Sequence, residues 1–198
     1  MNSESLPERL ILASTSKYRK LLLQRLDLPF ECEAPDTNET PFTNEPAQAL
    51  VSRLAVLKAK SIADRHPQAV VIGSDQLAVL DGNILGKPGD HQHATRQLAA
   101  CSGKTVRFLT AVSVQRKSSG FSESYTDTTD VCFRNLTNAE IESYLTREKP
   151  YDCAGSFKSE SLGVTLFDRI INQDPSALIG LPLIQTTAML RRAGIQLV

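Results

Sequence analysis

The stretch from Val70 to Pro88 constrains this chain most, because it combines an apolar strand, a carboxylate and a tight turn. The apolar run Val70–Ile72 predicts a buried strand. We expect this strand to stop at Gly73-Ser74-Asp75-Gln76, where small and polar residues follow. Sites in α/β proteins commonly lie at the ends of such strands. The pattern therefore marks the Asp75 carboxylate as a candidate functional group.

The dipeptide Asp81-Gly82 predicts a two-residue hairpin turn, because both central positions of a type I′ turn need a positive φ. If the two strands pair outward from this turn, Gln76 lies opposite Lys87. The carboxylate of Asp75, next to Gln76, and the ammonium group of Lys87 would then become neighbours, as a site for a metal–phosphate substrate requires. The alternative is an aspartate in a loop and a lysine that ends an exposed strand.

Composition limits the classes of function. The 198 residues are 41% hydrophobic, which suits a single domain over residues 1–198, with a division into two lobes around a central cleft left open. Basic and acidic residues balance at 22 each, so a wide cationic face for duplex nucleic acid is not expected. The four cysteines form no C-x-x-C pair, which argues against a zinc knuckle or a redox dithiol.

Neither a targeting segment nor a membrane span is evident in the sequence. Residues Met1–Arg9 lack the apolar core of a signal peptide, and no later run approaches membrane-spanning length. We therefore expect a soluble, cytoplasmic protein with reduced thiols and no membrane partner.

The first candidate anion site follows the short apolar strand Leu10–Ala13. Ser16 is a suitable N-cap for a helix from Lys17 to about Leu26, so the free N–H groups of its first turn would point at the preceding loop. Arg19 and the Ser14 hydroxyl would complete an anion pocket. No G-x-x-x-x-G-K-[ST] motif is present, so the loop is not a Walker loop. A capped helix with a solvated arginine is the alternative.

A second feature is the predicted helix from about Ala47 to Arg65. At about 100° per residue its apolar positions form one stripe, and Lys58 falls in the middle of that stripe. A buried ammonium group is costly unless an anion compensates it, so Lys58 needs a partner. That partner is a substrate phosphate or, alternatively, a structural acid. The proline-rich stretch 31–46 before the helix is expected to form a loop or lid, in which Glu39 is a candidate metal ligand or a solvated glutamate.

The rest of the chain is expected to form mainly scaffold. Asp90 can cap a helix of about a dozen residues, and the runs 105–115 and 121–134 predict an antiparallel hairpin. A capping box at Thr137–Glu140 opens a helix to about Glu148. Small residues in 153–163 predict a close-approach loop before a strand over Val164–Ile171, and a last helix is expected over Leu183–Arg192.

Taken together, the motifs resemble those of the Maf nucleotide pyrophosphatases. In chain order the matching motifs are Leu12-Ala13-Ser14-Thr15-Ser16-x-x-Arg19, Asn38-Glu39-Thr40-Pro41, Leu54-Ala55-x-x-Lys58-Ala59, Gly73-Ser74-Asp75-Gln76, Gly86-Lys87-Pro88, Ala154-Gly155-Ser156-Phe157 and Ile179-Gly180-Leu181-Pro182-Leu183. The resemblance implies a Maf/ITPase-like α/β fold, with a mixed, strongly twisted sheet flanked by helices and a deep cleft. It also implies a divalent metal and hydrolysis of a nucleoside triphosphate between its α and β phosphates.

Three residues resemble the branch of that family that acts on 7-methyl-GTP, namely Tyr18, Gln76 and Glu160. A carboxylate can accept two hydrogen bonds from the guanine edge, and a tyrosine face can stack on the cationic methylated base. The plain alternatives are a surface acid for Glu160 and a core aromatic for Tyr18. The chain departs from the family pattern at Lys17, Leu57 and Ser161, where Pro, Glu and Gly are frequent.

The resemblance implies the following roles. Asp75, helped by Glu39, binds the metal (Mg²⁺, or alternatively Mn²⁺ or Co²⁺) or orients and deprotonates the attacking water. The residues expected to hold the triphosphate are Ser14, Ser16, Arg19, Lys58 and Lys87. The alternatives are the same reaction on UTP, dTTP or other modified nucleotides, and a nucleotide-binding regulatory protein without turnover. Family members are often dimers, so the resemblance leaves a homodimer open, while the sequence itself does not decide the oligomeric state.

Overall fold

The structure, a computed structural model, describes residues 9–197, so Met1–Glu8 and Val198 of the sequence are not considered further. The expectation about a signal peptide in Met1–Arg9 falls almost entirely outside the described residues. The strands are β1 (Leu10–Ala13), β2 (Glu31–Cys32), β3 (Val70–Leu80), β4 (Asn83–Leu85), β5 (Thr105–Arg116), β6 (Phe121–Phe133) and β7 (Phe167–Ile171). The helices are α1 (Lys17–Gln24), α2 (Ala47–Ala63), α3 (His91–Cys101), α4 (Asn138–Glu148) and α5 (Leu183–Arg192).

Within the described residues all seven strands join one sheet, in the order β2-β1-β3-β5-β6-β7, with β4 paired to β3. β1 runs parallel to β2 and β3, whereas the pairs β3–β4, β3–β5, β5–β6 and β6–β7 are antiparallel. The predicted mixed α/β class is therefore confirmed. None of the described helices combines the length and the apolar character that a membrane crossing requires.

The central strand β3 loses its partners along part of one edge. β1 pairs with β3 only as far as Gly73, and β4 begins to pair at Ala78. Between these points, Ser74–Leu77 keep the ladder to β5 on the other edge. The sheet therefore opens where β1 ends, and a cleft can form there without unpairing β3 from the core.

Three expectations about strand limits were wrong. β3 does not stop at Gly73 but runs on to Leu80, because β5 pairs with it residue by residue from Val71 to Val79. The Asp81-Gly82 turn forms, with φ of 50° and 80°, but β4 ends at Leu85, so Lys87 does not pair with Gln76. In the last part of the sheet, residues 162–166 form a 3₁₀ turn, and the strand begins only at Phe167.

Helix α2 lies unusually close to β3 at Gly73. A Cβ atom at this position would lie 2.3 Å from the carbonyl oxygen of Ala55 and 2.4 Å from the backbone nitrogen of Ala59, so only glycine allows the approach. The predicted stripe of α2 is confirmed, since Leu50, Val51, Leu54, Lys58 and Ile62 are all buried, whereas Lys60 is exposed. Close packing at Gly73 places Lys58 beside the next part of β3.

Four apolar clusters form the core of the described residues, and the two largest pack helices against the sheet. One lies beneath α3 and α4 and includes edge-to-face contacts among Phe108, Phe133, Phe157 and Phe167. The other packs α1 and α5 against β1 and the start of β3. Rigid packing in both clusters holds the walls of the cleft in place.

Candidate active site

A cavity of about 810 Å³ lies at the opening of the sheet. This volume is in the range of nucleotide-sized ligand sites. Every residue that the sequence marks as a site candidate lines it: Ser14, Ser16, Tyr18, Arg19, Glu39, Lys58, Asp75, Gln76, Lys87 and Glu160. The structure thus brings these residues together, while their chemical roles stay predictions.

The floor of the cavity contains one cation between two carboxylates. The Nζ atom of Lys58 lies 2.6 Å from Asp75 Oδ1 and 2.7 Å from Glu39 Oε1. The side chains of Lys58 and Asp75 are only 8% and 11% exposed, whereas that of Glu39 is 60% exposed. The acid partner that the buried position of Lys58 required is therefore Asp75, supplied by the strand on which α2 packs.

The loop before α1 forms the second wall. Ser16 caps the helix as predicted, with its Oγ accepting from the Arg19 backbone N–H at 3.4 Å, and the Ser14 Oγ accepts from the Ser16 N–H at 3.1 Å. The Arg19 side chain donates from Nε to the Gly180 carbonyl at 3.0 Å and from Nη1 to Ser14 Oγ at 3.5 Å. Burial lowers the pKa of the Arg19 guanidinium, and the nearby Asp75 and Glu39 carboxylates act against this shift.

Asp75 and Gln76 point to opposite faces of β3, because successive strand residues alternate. On the face away from α2, Ser74 Oγ donates to the Gly180 carbonyl at 3.0 Å. The Gln76 amide nitrogen donates to Thr110 Oγ1 at 2.9 Å and to the carbonyls of Ala177 and Leu178 at 3.0 Å. Gln76 therefore holds the 177–180 turn in place, and only its amide oxygen is left for a ligand.

Lys87 reaches the cavity from a loop rather than from a strand. The loop is fixed by a hydrogen bond from Gln97 Nε2 to the Gly86 carbonyl at 3.0 Å and by one from the Gly89 N–H to the Tyr151 carbonyl at 3.0 Å. Lys87 itself is exposed, so it stands at the rim.

Tyr18 and Glu160, the two residues predicted to contact the base, also line the cavity. The Tyr18 hydroxyl lies 3.3 and 3.4 Å from the two carboxylate oxygens of Asp152, which also pairs with Lys17 Nζ at 3.1 Å. The Lys17 ammonium stands 4.9 Å from the centroid of the Tyr18 ring. Burial, followed by its neighbours Cys153 and Asp152, raises the pKa of the Tyr18 hydroxyl, so Tyr18 is neutral. Glu160 is exposed.

Sequence reasoning gave no site role to three charged residues that line the cavity, Lys17, Asp152 and Lys158. Lys158 lines the cavity, yet its Nζ donates to the Glu148 carbonyl at 3.0 Å and to Glu148 Oε1 at 3.2 Å, which ties the 153–163 loop to the end of α4. Asp152 stands in no recognisable motif, and its contact with Tyr18 spans most of the chain. No local signal in the sequence could have revealed either contact.

The acidic residues of the floor fit a divalent cation that is shared with a substrate. Among residues 9–197 no cluster of three or more His, Cys, Asp or Glu residues is arranged to hold a metal alone. Asp75 and Glu39, however, both direct a carboxylate oxygen at the same ammonium group. Mg²⁺ is commonly held by one or two carboxylates together with substrate phosphates and water, so Asp75 and Glu39 are the candidate ligands.

Comparisons with known proteins agree with the resemblance seen in the sequence. A family profile described as "Maf-like protein" matches residues 9–193. A protein of Polaromonas sp. named 7-methyl-GTP pyrophosphatase is 55% identical over 188 residues, covering 95% of this chain and 86% of the relative. One of the same name from Albidiferax ferrireducens is 52% identical over 194 residues, covering 98% of each chain. Among solved structures, the Staphylococcus aureus Ham1 protein matches with a TM-score of 0.48 at 14% identity, over 64% of this chain and 72% of its own.

Proposed function

The chain belongs to the family of Maf-like proteins, and we propose that it is a nucleotide pyrophosphatase that hydrolyses 7-methyl-GTP to 7-methyl-GMP and pyrophosphate. The observation that carries the proposal is the buried Lys58 ammonium held between Asp75 and Glu39 in a cavity of about 810 Å³. The names of two relatives that are more than 50% identical over nearly the whole chain support the choice of substrate.

The cationic side of the cavity would hold the triphosphate. Lys58 at the floor, Arg19 beside the loop before α1 and Lys87 at the rim all line the cavity, so three cations are available to a triphosphate chain. The Ser14 and Ser16 hydroxyls and the start of α1 add neutral donors and a favourable dipole. These groups stabilise the negative charge that moves onto the pyrophosphate as it leaves.

Asp75 and Glu39 would hold a divalent cation, which when bound polarises phosphoryl oxygens as a Lewis acid. Asp75 Oδ1 accepts the hydrogen bond from Lys58, so Oδ2 is the oxygen left either for the cation or for the attacking water. In the second role it orients the water towards the α-phosphorus and receives its proton, while Glu39 holds the cation. The water oxygen forms a new bond to the α-phosphorus, and the bond from that atom to the bridging oxygen breaks. Pyrophosphate leaves with the electron pair.

Three side chains that line the cavity, those of Glu160, Tyr18 and Gln76, would recognise the base. The Glu160 carboxylate can accept from the N1–H and the 2-amino group of guanine. The ring of Tyr18 offers a face for the methylated base, whose positive charge strengthens stacking on an aromatic ring. The amide oxygen of Gln76 is the group left to contact the nucleotide, since its nitrogen is bound to the 177–180 turn.

A panel of nucleotides tests the proposal. Release of pyrophosphate is measured with 7-methyl-GTP, GTP, UTP and dTTP, each with and without Mg²⁺. We expect metal-dependent turnover with the highest kcat/KM on 7-methyl-GTP, and no turnover by Asp75→Asn, which keeps the size of the side chain.

The other outcomes are equally informative. Preference for UTP or dTTP would keep the reaction and overturn the substrate. Tight binding without turnover would indicate a regulatory nucleotide-binding protein. Near-normal activity of Asp75→Asn would remove this carboxylate from the chemistry.

A further inference from the structure

The loop that carries Glu39 connects β2 to α2 and is bound by two arginines. Near its start, Arg65, which follows the C-terminal end of α2, donates from Nη2 to the Ala34 carbonyl at 3.2 Å. Further along, Arg53 of α2 donates from Nη2 to the Thr40 carbonyl at 3.2 Å, one residue after Glu39. The loop is therefore bound on both sides of the residue that reaches the cavity floor, and α2 makes the contact next to Glu39.

Arg53 is the centre of a compact cluster. Its Nε and Nη2 atoms donate to the two carboxylate oxygens of Glu45 at 2.6 and 2.7 Å, and its guanidinium carbon lies 4.0 Å from the centroid of the Phe42 ring. Glu45 Oε2 also accepts from the Phe42 backbone N–H at 3.0 Å. The hydrogen bond from Arg53 lowers the pKa of Glu45 to about 2, so the pair is charged at neutral pH.

Glu39 needs such support because its own ion pair is weak as an anchor. Its side chain is 60% exposed, so water competes for the carboxylate, and the ion pair with the buried Lys58 must also order a flexible side chain. The Arg53–Glu45 pair is better shielded, with exposed fractions of 19% and 7%, and has bidentate geometry. The more rigid pair can therefore fix the backbone from which Glu39 extends.

Arg53 and Lys58 lie on the same helix, five residues apart, which corresponds to about 7.5 Å along its axis. Neither Arg53 nor Glu45 is among the described residues that line the cavity. We propose that Arg53 is a positioning residue, which binds the Thr40 carbonyl and Glu45 so that Glu39 is held at the distance from Lys58 and Asp75 that the reaction requires. This role rests on the proposed function, since it assigns Arg53 to the same site.

A double-mutant cycle with Glu39 tests this role. We expect Arg53→Ala to lower kcat on 7-methyl-GTP at saturating Mg²⁺ by about 10- to 100-fold, as for other losses of positioning, with a change in KM below about threefold. Arg53→Lys keeps the charge but not the bidentate contact, so its kcat should be intermediate. If Arg53 acts through Glu39, adding Arg53→Ala to Glu39→Gln should lower kcat by less than about twofold further.

The matched control is Arg192→Ala, which removes another bidentate arginine–carboxylate pair, with Glu123 at 2.8 and 2.9 Å from Nε, outside the cavity. Its kcat should match that of the wild type. Unchanged kcat in Arg53→Ala, equal losses in Arg192→Ala, or fully additive losses with Glu39→Gln would each overturn the proposal. If Arg53→Ala does not fold, Glu45→Gln removes the same pair while keeping its size, and the same outcomes apply.

Hydrogen exchange supplies a readout that does not depend on activity. Exchange of the backbone amides in residues 36–45 should be faster in Arg53→Ala than in the wild type and unchanged in Arg192→Ala. Unchanged exchange in Arg53→Ala overturns the proposal whatever the kinetics show. If the wild type hydrolyses no nucleotide, the proposed function fails, and the exchange measurement alone then decides whether Arg53 holds the loop.

Discussion

Replacing Gly73 with alanine should damage both stability and activity, because the added methyl group would separate α2 from β3. The Cβ would lie 2.3 Å from the Ala55 carbonyl oxygen, about 1 Å short of the 3.4 Å at which ordinary contacts begin. Backbone atoms cannot rotate away as a flexible side chain can, so α2 must move away from β3. Overpacking of this kind costs about 1–3 kcal/mol of stability.

The same displacement of α2 would separate the side chains of Lys58 and Asp75. Gly73 and Asp75 face the same side of β3, and Lys58 precedes the displaced Ala59 on α2. Lengthening the 2.6 Å contact between Lys58 and Asp75 by about 1 Å would exceed the range of a hydrogen bond. A misplacement of this size can lower the rate about 100-fold, so we expect kcat/KM on 7-methyl-GTP to fall by about that factor.

Chemical denaturation and pyrophosphate release measure the two effects. Gly86→Ala is the control for stability, because a Cβ there has nothing within 4 Å. Its stability should be unchanged or raised by up to about 1 kcal/mol. A Gly73→Ala protein that unfolds at the same denaturant concentration as the wild type, with the same kcat/KM, would refute the argument from close packing.

Three other predictions concern single side chains. Glu160→Ala should reduce kcat/KM for guanine nucleotides far more than for pyrimidine nucleotides, and equal losses would refute a base-reading role. Lys58→Met should lower kcat/KM by about 100- to 1,000-fold and leave Asp75 without its ammonium partner, at a cost of about 1–3 kcal/mol in unfolding experiments. Because the pKa of Glu45 is lowered from 4.5 to about 2, the stability that it contributes is complete above pH 4.5 and is lost as the pH falls towards 2. The difference in melting temperature between wild type and Glu45→Gln should therefore be constant from neutral pH to about pH 5 and shrink below pH 4.5; a constant difference down to pH 2 would contradict it.

Much of the local structure was predictable because it depends on neighbours in sequence. The Ser16 cap, the Asp81-Gly82 turn and the Thr137–Glu140 capping box each need only a few adjacent residues, and all three form. The buried position of Lys58 followed from helical periodicity alone, since Leu54 and Ile62 define the same stripe. Such patterns depend on residues a few positions apart, so tertiary packing alters these local structures little.

Strand limits were less predictable because a strand continues as long as a partner pairs with it. Gly73-Ser74-Asp75-Gln76 is a poor strand sequence on propensity, yet it lies within β3 because β5 supplies an uninterrupted ladder. At Lys87 the opposite happens: the predicted strand ends early, because β4 stops at Leu85. The loop that carries Lys87 is held instead by hydrogen bonds with Gln97 and Tyr151. Neither partner is visible from the local sequence.

The order of residues specifies which chemical groups the protein has: the carboxylates, the lysines and the capped helix start that a phosphate substrate requires. How these groups meet depends on packing between distant elements, since Lys58 contacts Asp75 through the close approach of α2 to β3 at Gly73, and Tyr18 contacts Asp152 across most of the chain. Hydrogen-bonding and periodicity rules act between close neighbours in sequence, whereas distances across a cavity are set by the packing of whole elements.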